Sequence, residues 1–147
     1  MKISDILQAG DVLVLDGVSS KRELIQGLAD HAAKTAKVDA RTLFDAVLER
    51  ENLGTTAVGK GIALPHARVT ALKHTQGLFA KIKGGVEFDA ADEKKVDLVF
   101  LLLSPEDSGA DHLNALAEIS KIMKSDTECA KIRKAANSAD IYKILSE

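Results

Sequence analysis

The chain has 147 residues, 46% of them hydrophobic and 29% charged, with 20 basic against 22 acidic side chains. That length fits one domain with a continuous core, and a net charge of −2 provides no field that would draw nucleic acid or an anionic membrane surface. Cys129 is the one cysteine, which excludes an internal disulfide and a cysteine-rich zinc site.

The first residues, MKISDILQAGD, lack the apolar stretch of a secretory signal. The longest apolar run, Leu98 to Leu103, is too short to span a bilayer, so the cytoplasm is the expected location and membrane insertion is not expected. Ser4 can cap a short helix over residues 4–9, and Val12 to Leu15 reads as a strand closed by Asp16-Gly17. Ser20 with Glu23 has the form of a capping box. The helix it opens aligns Leu24, Leu28 and Ala32 and runs to about Ala36. Asp39 is placed to cap a second helix with Leu43, Phe44, Val47 and Leu48 inward, ending near Gly54. A glycine-rich stretch without helical period follows from Gly54 to Pro65. Gly77 to Lys83 is a strand ended by Gly84-Gly85. Val96 to Leu103 is a strand buried on both faces and closed by Ser104-Pro105. From Asp111 the helical period returns through His112, Leu116, Ile119 and Met123. Ser125 with Glu128 starts another helix, and Ser138 starts a last one through Ile144. Helices alternating with strands predict an α/β sandwich, a central mixed β-sheet flanked by helices on both faces, with residues 1–147 as one domain.

The segment from Gly54 to His66 is where chemistry is expected. Gly54, Gly59 and Lys60 fit a nucleotide-binding P-loop, but Gly61 stands where the magnesium-binding hydroxyl belongs. A P-loop also follows a strand and opens a helix, whereas this segment follows a helix and runs into Ile62-Ala63-Leu64-Pro65, where proline disfavours helical geometry at Leu64. His66 is the other candidate. A proline of fixed φ delivers it from an extended apolar segment, its ring is largely neutral at pH 7, and the glycines upstream let backbone N–H groups approach phosphate oxygens. The residues alone leave His66 between a phosphoryl acceptor and an ordinary histidine in a strand-to-loop turn.

The run from Glu49-Arg50 through Asn52-Leu-Gly-Thr55-Thr56-Ala-Val-Gly-Lys-Gly-Ile-Ala-Leu-Pro65-His66-Ala67 resembles the active-site signature of the fructose/mannitol-type enzyme IIA of the bacterial phosphotransferase system. The resemblance continues through the opening ISDIL, the Ser-Ser-Lys-Arg helix start, Phe88-Asp89-Ala90, the run from Val96 to Leu103 followed by Pro105, and Asp111-His112-Leu113 leading into Leu116-Ala117. It covers nearly the whole chain and is nearest to the nitrogen-regulatory branch. Ala57 and Ala67 depart from it where glycine is common.

The resemblance implies that His66 is phosphorylated on Nε2 by an HPr-type phosphocarrier protein, and that His112 and Arg50 complete the catalytic group. His112 stands near a helix N-terminus, which favours phosphate and disfavours imidazolium. Its alternative is a histidine at the edge of the core. Arg50 has no helical ion-pair partner at three or four residues, and by resemblance its guanidinium faces the phosphoryl group rather than merely complementing the helix end. Thr55 and Thr56 are candidates to support the phosphate site through their hydroxyls. His31, on a helix flank, and His74, in a polar loop, have no ligand-spaced neighbours, so no metal is expected. Asp97 inside an apolar strand needs a partner, and Cys129 is expected to serve packing. No cofactor is expected, because a phosphorylated carrier supplies the phosphoryl group already activated.

Two outputs follow from the resemblance. One is regulation through phosphorylation-dependent contact with a target such as a potassium transporter or a sensor kinase, in a monomer or weak homodimer. The other is sugar uptake, with phosphate relayed to a fructose/mannitol-type transporter component. Regulation is the expected output, because the resemblance is nearest to the nitrogen branch and no fused transporter or second phosphocarrier domain is expected after Glu147.

Overall fold

A computed structural model describes residues Met1–Glu147. Six strands form one mixed sheet: β1 (Val12–Leu15), β2 (Ala57–Gly59), β3 (Ile62–Ala63), β4 (His66–Val69), β5 (Gln76–Val86) and β6 (Val96–Pro105). Their spatial order is β1-β5-β6-β3-β2, with β4 following β3 along the same edge of β6. β1 runs parallel to β5, β5 antiparallel to β6, and β3 and β4 parallel to β6. Helices α1 (Lys21–Ala36) and α2 (Ala40–Leu53) cover one face, while α3 (Ala110–Met123), α4 (Asp126–Lys134) and α5 (Ser138–Ser146) cover the other. The helix-flanked mixed sheet is the architecture expected from the alternation of elements.

β6 explains the two layers. Its side chains point alternately to opposite faces, so Val99, Leu101 and Leu103 join the α1–α2 core while Leu98, Phe100 and Leu102 join the α3–α5 core. The doubly apolar run of the sequence follows from that position. Asp97 does have a partner: Arg133 of α4 bonds both carboxylate oxygens at 2.9 Å and reaches the Lys60 carbonyl at 2.8 Å. Nearby, the Lys81 ammonium donates to the Ile132, Arg133 and Ala135 carbonyls and so satisfies the C-terminal end of α4.

The caps behave as local chemistry dictates. Ser20, Asp39 and Ser125 accept from Glu23, Thr42 and Glu128 backbone N–H groups. The Glu23 carboxylate turns to Ser19, whose backbone N–H and hydroxyl it accepts, rather than to Ser20. α5 is capped by Asn137, so Ser138 is its first helical residue.

Three expectations are corrected, for residues 4–9, β5 and β6, and the non-helical stretch from Gly54 to Pro65 gains a defined form. Residues 4–9 form no helix. Two short 3-10 turns, Ile3–Asp5 and Ala9–Asp11, stand there, because the Ile6 carbonyl is taken by Gly77 N–H at 2.8 Å and six residues cannot meet the cost of a helical nucleus. The stretch Gly54 to Pro65 holds a hairpin, β2–β3, turning on Lys60 (φ 58°) and Gly61 (φ 80°). Two consecutive residues of positive φ are what a type I′ two-residue hairpin turn requires. At Gly61 a Cβ would meet Asp97 Oδ1 at 2.7 Å. β5 continues past Lys83 to Val86, because Gly84 and Gly85 (φ 78° and 68°) form an irregularity in the ladder instead of ending it. β6 likewise extends to Pro105.

Gly77 and Gly27 give opposite predictions. A Cβ at Gly77 would stand 2.9 Å from the Phe100 ring, so Gly77→Ala should lower stability by about 1–3 kcal/mol. Gly27 is exposed within α1 and a Cβ there meets nothing within 4 Å, so Gly27→Ala should raise stability by about 0.8–1 kcal/mol. Urea denaturation of both variants checks the pair; equal signs would contradict the packing described for β5 and β6.

Candidate functional site

Pro65 leads directly into β4, whose first residue is His66, so this histidine stands on a strand beside β6 and not in a strand-to-loop turn. Ala67 and Val69 point into the α1–α2 core, so His66 and Arg68 take the other face, towards α3. The His66 ring is half-buried, and its Nδ1 lies 2.8 Å from the Leu64 carbonyl oxygen. A carbonyl only accepts, so Nδ1 carries the hydrogen and the lone pair of the neutral ring is on Nε2.

The His112 ring lies 5.7 Å from that of His66, centroid to centroid, at an angle of 50°. It is buried in the first turn of α3, with Nδ1 at 2.7 Å from Ser104 Oγ. Loss of hydration on burial, reinforced by the positive charge of Arg68, pushes its pKa down to about 4. His112 is therefore neutral at pH 7 and joins His66 in one cluster rather than standing apart in the core.

Arg50 and His66 line one cavity of about 270 Å3 together with Thr55, Thr56 and Leu116. Arg50, in the last turn of α2, donates to the Gly54 carbonyl at 3.0 Å and forms no ion pair, so its charge is uncompensated beside the cavity. The threonines differ from expectation. The Thr55 hydroxyl donates to the Phe88 carbonyl at 2.7 Å, and the Thr56 hydroxyl donates to the Glu51 carboxylate. Neither has a hydroxyl hydrogen left for phosphate. Their contribution is to hold the loop: buried Glu51 also accepts Thr56 N–H at 3.0 Å and pairs with Lys21 at 3.0 Å, while the Lys21 ammonium stands 4.4 Å from the Phe88 ring centroid.

Two neighbours escaped the sequence reading. Arg68 shares a strand face with His66 and reaches the α3 N-terminus, at 3.4 Å from Ser108 Oγ and 3.3 Å from the Gly109 carbonyl. Alternation along β4 would have pointed to it had that strand been recognised. Ser104 carries no signal in the sequence beyond closing a strand.

The remaining candidates lie elsewhere. His31 Nε2 donates to the Gly10 carbonyl and Asp11 carboxylate beside a larger cavity of about 650 Å3, which His74 also lines. Cys129 is buried, which pushes its thiol pKa up. No three His, Cys, Asp or Glu side chains stand together at metal-ligand spacing, and no helix is long and apolar enough to cross a membrane.

The low pKa of His112 links stability to pH. The unfolded chain takes this proton near 6.5, the folded one only near 4. Between those values the unfolded state binds more protons, so stability falls as pH drops through the window. Unfolding free energy of wild type minus that of His112→Asn should decrease from pH 6.5 to 4 in urea titrations; a constant difference would contradict a buried neutral imidazole.

The profile of the family described as phosphoenolpyruvate-dependent sugar phosphotransferase system, EIIA 2, matches residues 5–147. The chain is 40% identical over 146 residues to the nitrogen regulatory protein of Bradyrhizobium diazoefficiens, covering 99% of this chain and 95% of that one. It is 35% identical over 130 residues to the fructose-specific EIIA component of Haloferax volcanii, covering 88% and 84%. The crystal structure of nitrogen regulatory protein IIA-Ntr from Neisseria meningitidis superposes with a TM-score of 0.91 at 30% identity, covering 97% of this chain and 98% of that one. The mixed sheet with helices on both faces is the fold of that protein, and the chain belongs to the EIIA type 2 family of the phosphoenolpyruvate-dependent sugar phosphotransferase system.

Proposed function

We propose that the protein is a histidine phosphocarrier that accepts a phosphoryl group on Nε2 of His66 from an HPr-type carrier and signals through it. The observation that carries this reading is the Nδ1–H of His66 committed to the Leu64 carbonyl, with Nε2 left as the nucleophile. In the transfer, the Nε2 lone pair forms the new N–P bond while the donor histidine's N–P bond breaks, its electron pair returning to the donor ring. A singly negative PO3 unit moves, and Nδ1 keeps its hydrogen, so His66 exchanges no proton. Arg50 stabilises the charge on the transferring group, and neutral His112 supplies a hydrogen-bond donor at close quarters. No cofactor is needed, since the donor arrives already activated.

Exposed Leu53, Val58 and Leu113 belong to the elements that carry Arg50, the cavity wall and His112. They are suited to a shallow apolar contact with a carrier protein that must bring its own histidine close. Phosphorylation makes such a surface more negative by the one charge transferred and adds three strong acceptor oxygens, enough to make or break a docking contact. The 40% identity to a nitrogen regulatory protein supports a regulatory output in nitrogen metabolism; we extend that output to potassium metabolism, with a potassium transporter or sensor kinase as target. The 35% identity to a fructose-specific component favours, as the second reading, relay of the phosphate to a sugar-transporter component.

Incubation with phosphoenolpyruvate, enzyme I and an HPr-type carrier should add one phosphate to wild type, read by intact mass. His66→Ala should take none, and His112→Ala and Arg50→Ala should react roughly 100-fold more slowly or worse. Unmodified wild type with several carriers, or a phosphorylated His66→Ala, would overturn the reading. Passage of the phosphate to a sugar-specific component would select the second output.

A further inference from the structure

The C-terminal end of β6 contains a polar side chain that packing does not explain. Ser104 is fully buried, on the same face of β6 as Leu102, and its strand partner is Arg68. A buried hydroxyl without a hydrogen-bond partner is costly, and Ser104 Oγ has one partner, His112 Nδ1 at 2.7 Å. No carbonyl or carboxylate accepts from it. The hydroxyl hydrogen therefore points at His112 Nδ1, which must accept, and the single N–H of the neutral ring is then on Nε2.

We propose that Ser104 is a positioning residue for phosphoryl transfer: by donating to Nδ1 of His112 it holds that ring as the Nε2–H tautomer, beside the His66 ring. The inference rests on His66 being the phosphoryl acceptor. The two neighbouring imidazoles are then set in opposite states by different acceptors and donors. The Leu64 carbonyl keeps the hydrogen of His66 on Nδ1 and leaves Nε2 to attack. The Ser104 hydroxyl keeps the hydrogen of His112 on Nε2, where it can meet a phosphoryl oxygen. A neutral donor selected by tautomer serves this purpose without placing an imidazolium in a buried position.

The test combines nitrogen NMR of histidine-labelled protein with the phosphoryl-transfer assay, on wild type, Ser104→Ala and Ser104→Thr. Wild type should show His112 as the Nε2–H tautomer. Ser104→Ala should lose that preference and transfer about tenfold more slowly, and Ser104→Thr, which keeps the hydroxyl, should recover both. A thermal unfolding curve establishes that each variant is folded; if Ser104→Ala is not, the wild-type tautomer and Ser104→Thr still decide. An Nδ1–H tautomer in wild type, or a folded Ser104→Ala with unchanged tautomer and rate, overturns the role of Ser104 alone. Wild type that accepts no phosphate overturns the phosphocarrier reading and, with it, any part for Ser104 in transfer.

Discussion

β6 must be apolar on both faces and hydrogen-bonded along both edges, and the rest of the molecule is arranged around that requirement. On one edge it takes β5; on the other it takes β3 and then β4 in succession. Its side chains supply both cores, so the strand tolerates polar groups only near its ends. At the N-terminal end Asp97 meets Arg133 and ties α4 to the β2–β3 turn. At the C-terminal end Ser104 meets His112 and ties α3 to the strand pair that carries His66. One end is a structural clasp, and the other is the candidate site.

The site works with few charges. His112 is neutral because burial outweighs protonation, and two cations without carboxylate partners stand at the site, Arg50 beside the cavity and Arg68 on the strand face of His66. The loop between α2 and β2 is held by buried Glu51, whose carboxylate serves Thr56 and Lys21 together. Rigid support of this kind limits the reorganisation required when charge arrives on a transferring phosphoryl group.

Much of this was legible from residues. The caps at Ser20, Asp39 and Ser125 rest on local hydrogen-bonding chemistry, and the run from Val96 to Leu103 has the composition of a strand buried twice. The long motif ending in His66 marked the cavity wall and its two charged or titratable residues. The hairpin was hidden because Lys60-Gly61 is not a common pair for its turn, and β2 and β3 are three and two residues long. β4 is four residues long and follows a proline, so it resembled a turn. Ser104 and Arg68 were invisible for a different reason: their importance comes from pairing between strands and from the return of α3, which no local pattern encodes.

The most direct measurement is the position of the phosphorus on the ring. The account predicts that histidine-labelled protein, phosphorylated by an HPr-type carrier, shows phosphorus–nitrogen coupling to Nε2 of His66 while Nδ1 retains its hydrogen. Phosphorus on Nδ1 of His66, or on another side chain, would contradict the claim that the Leu64 carbonyl selects the nucleophile.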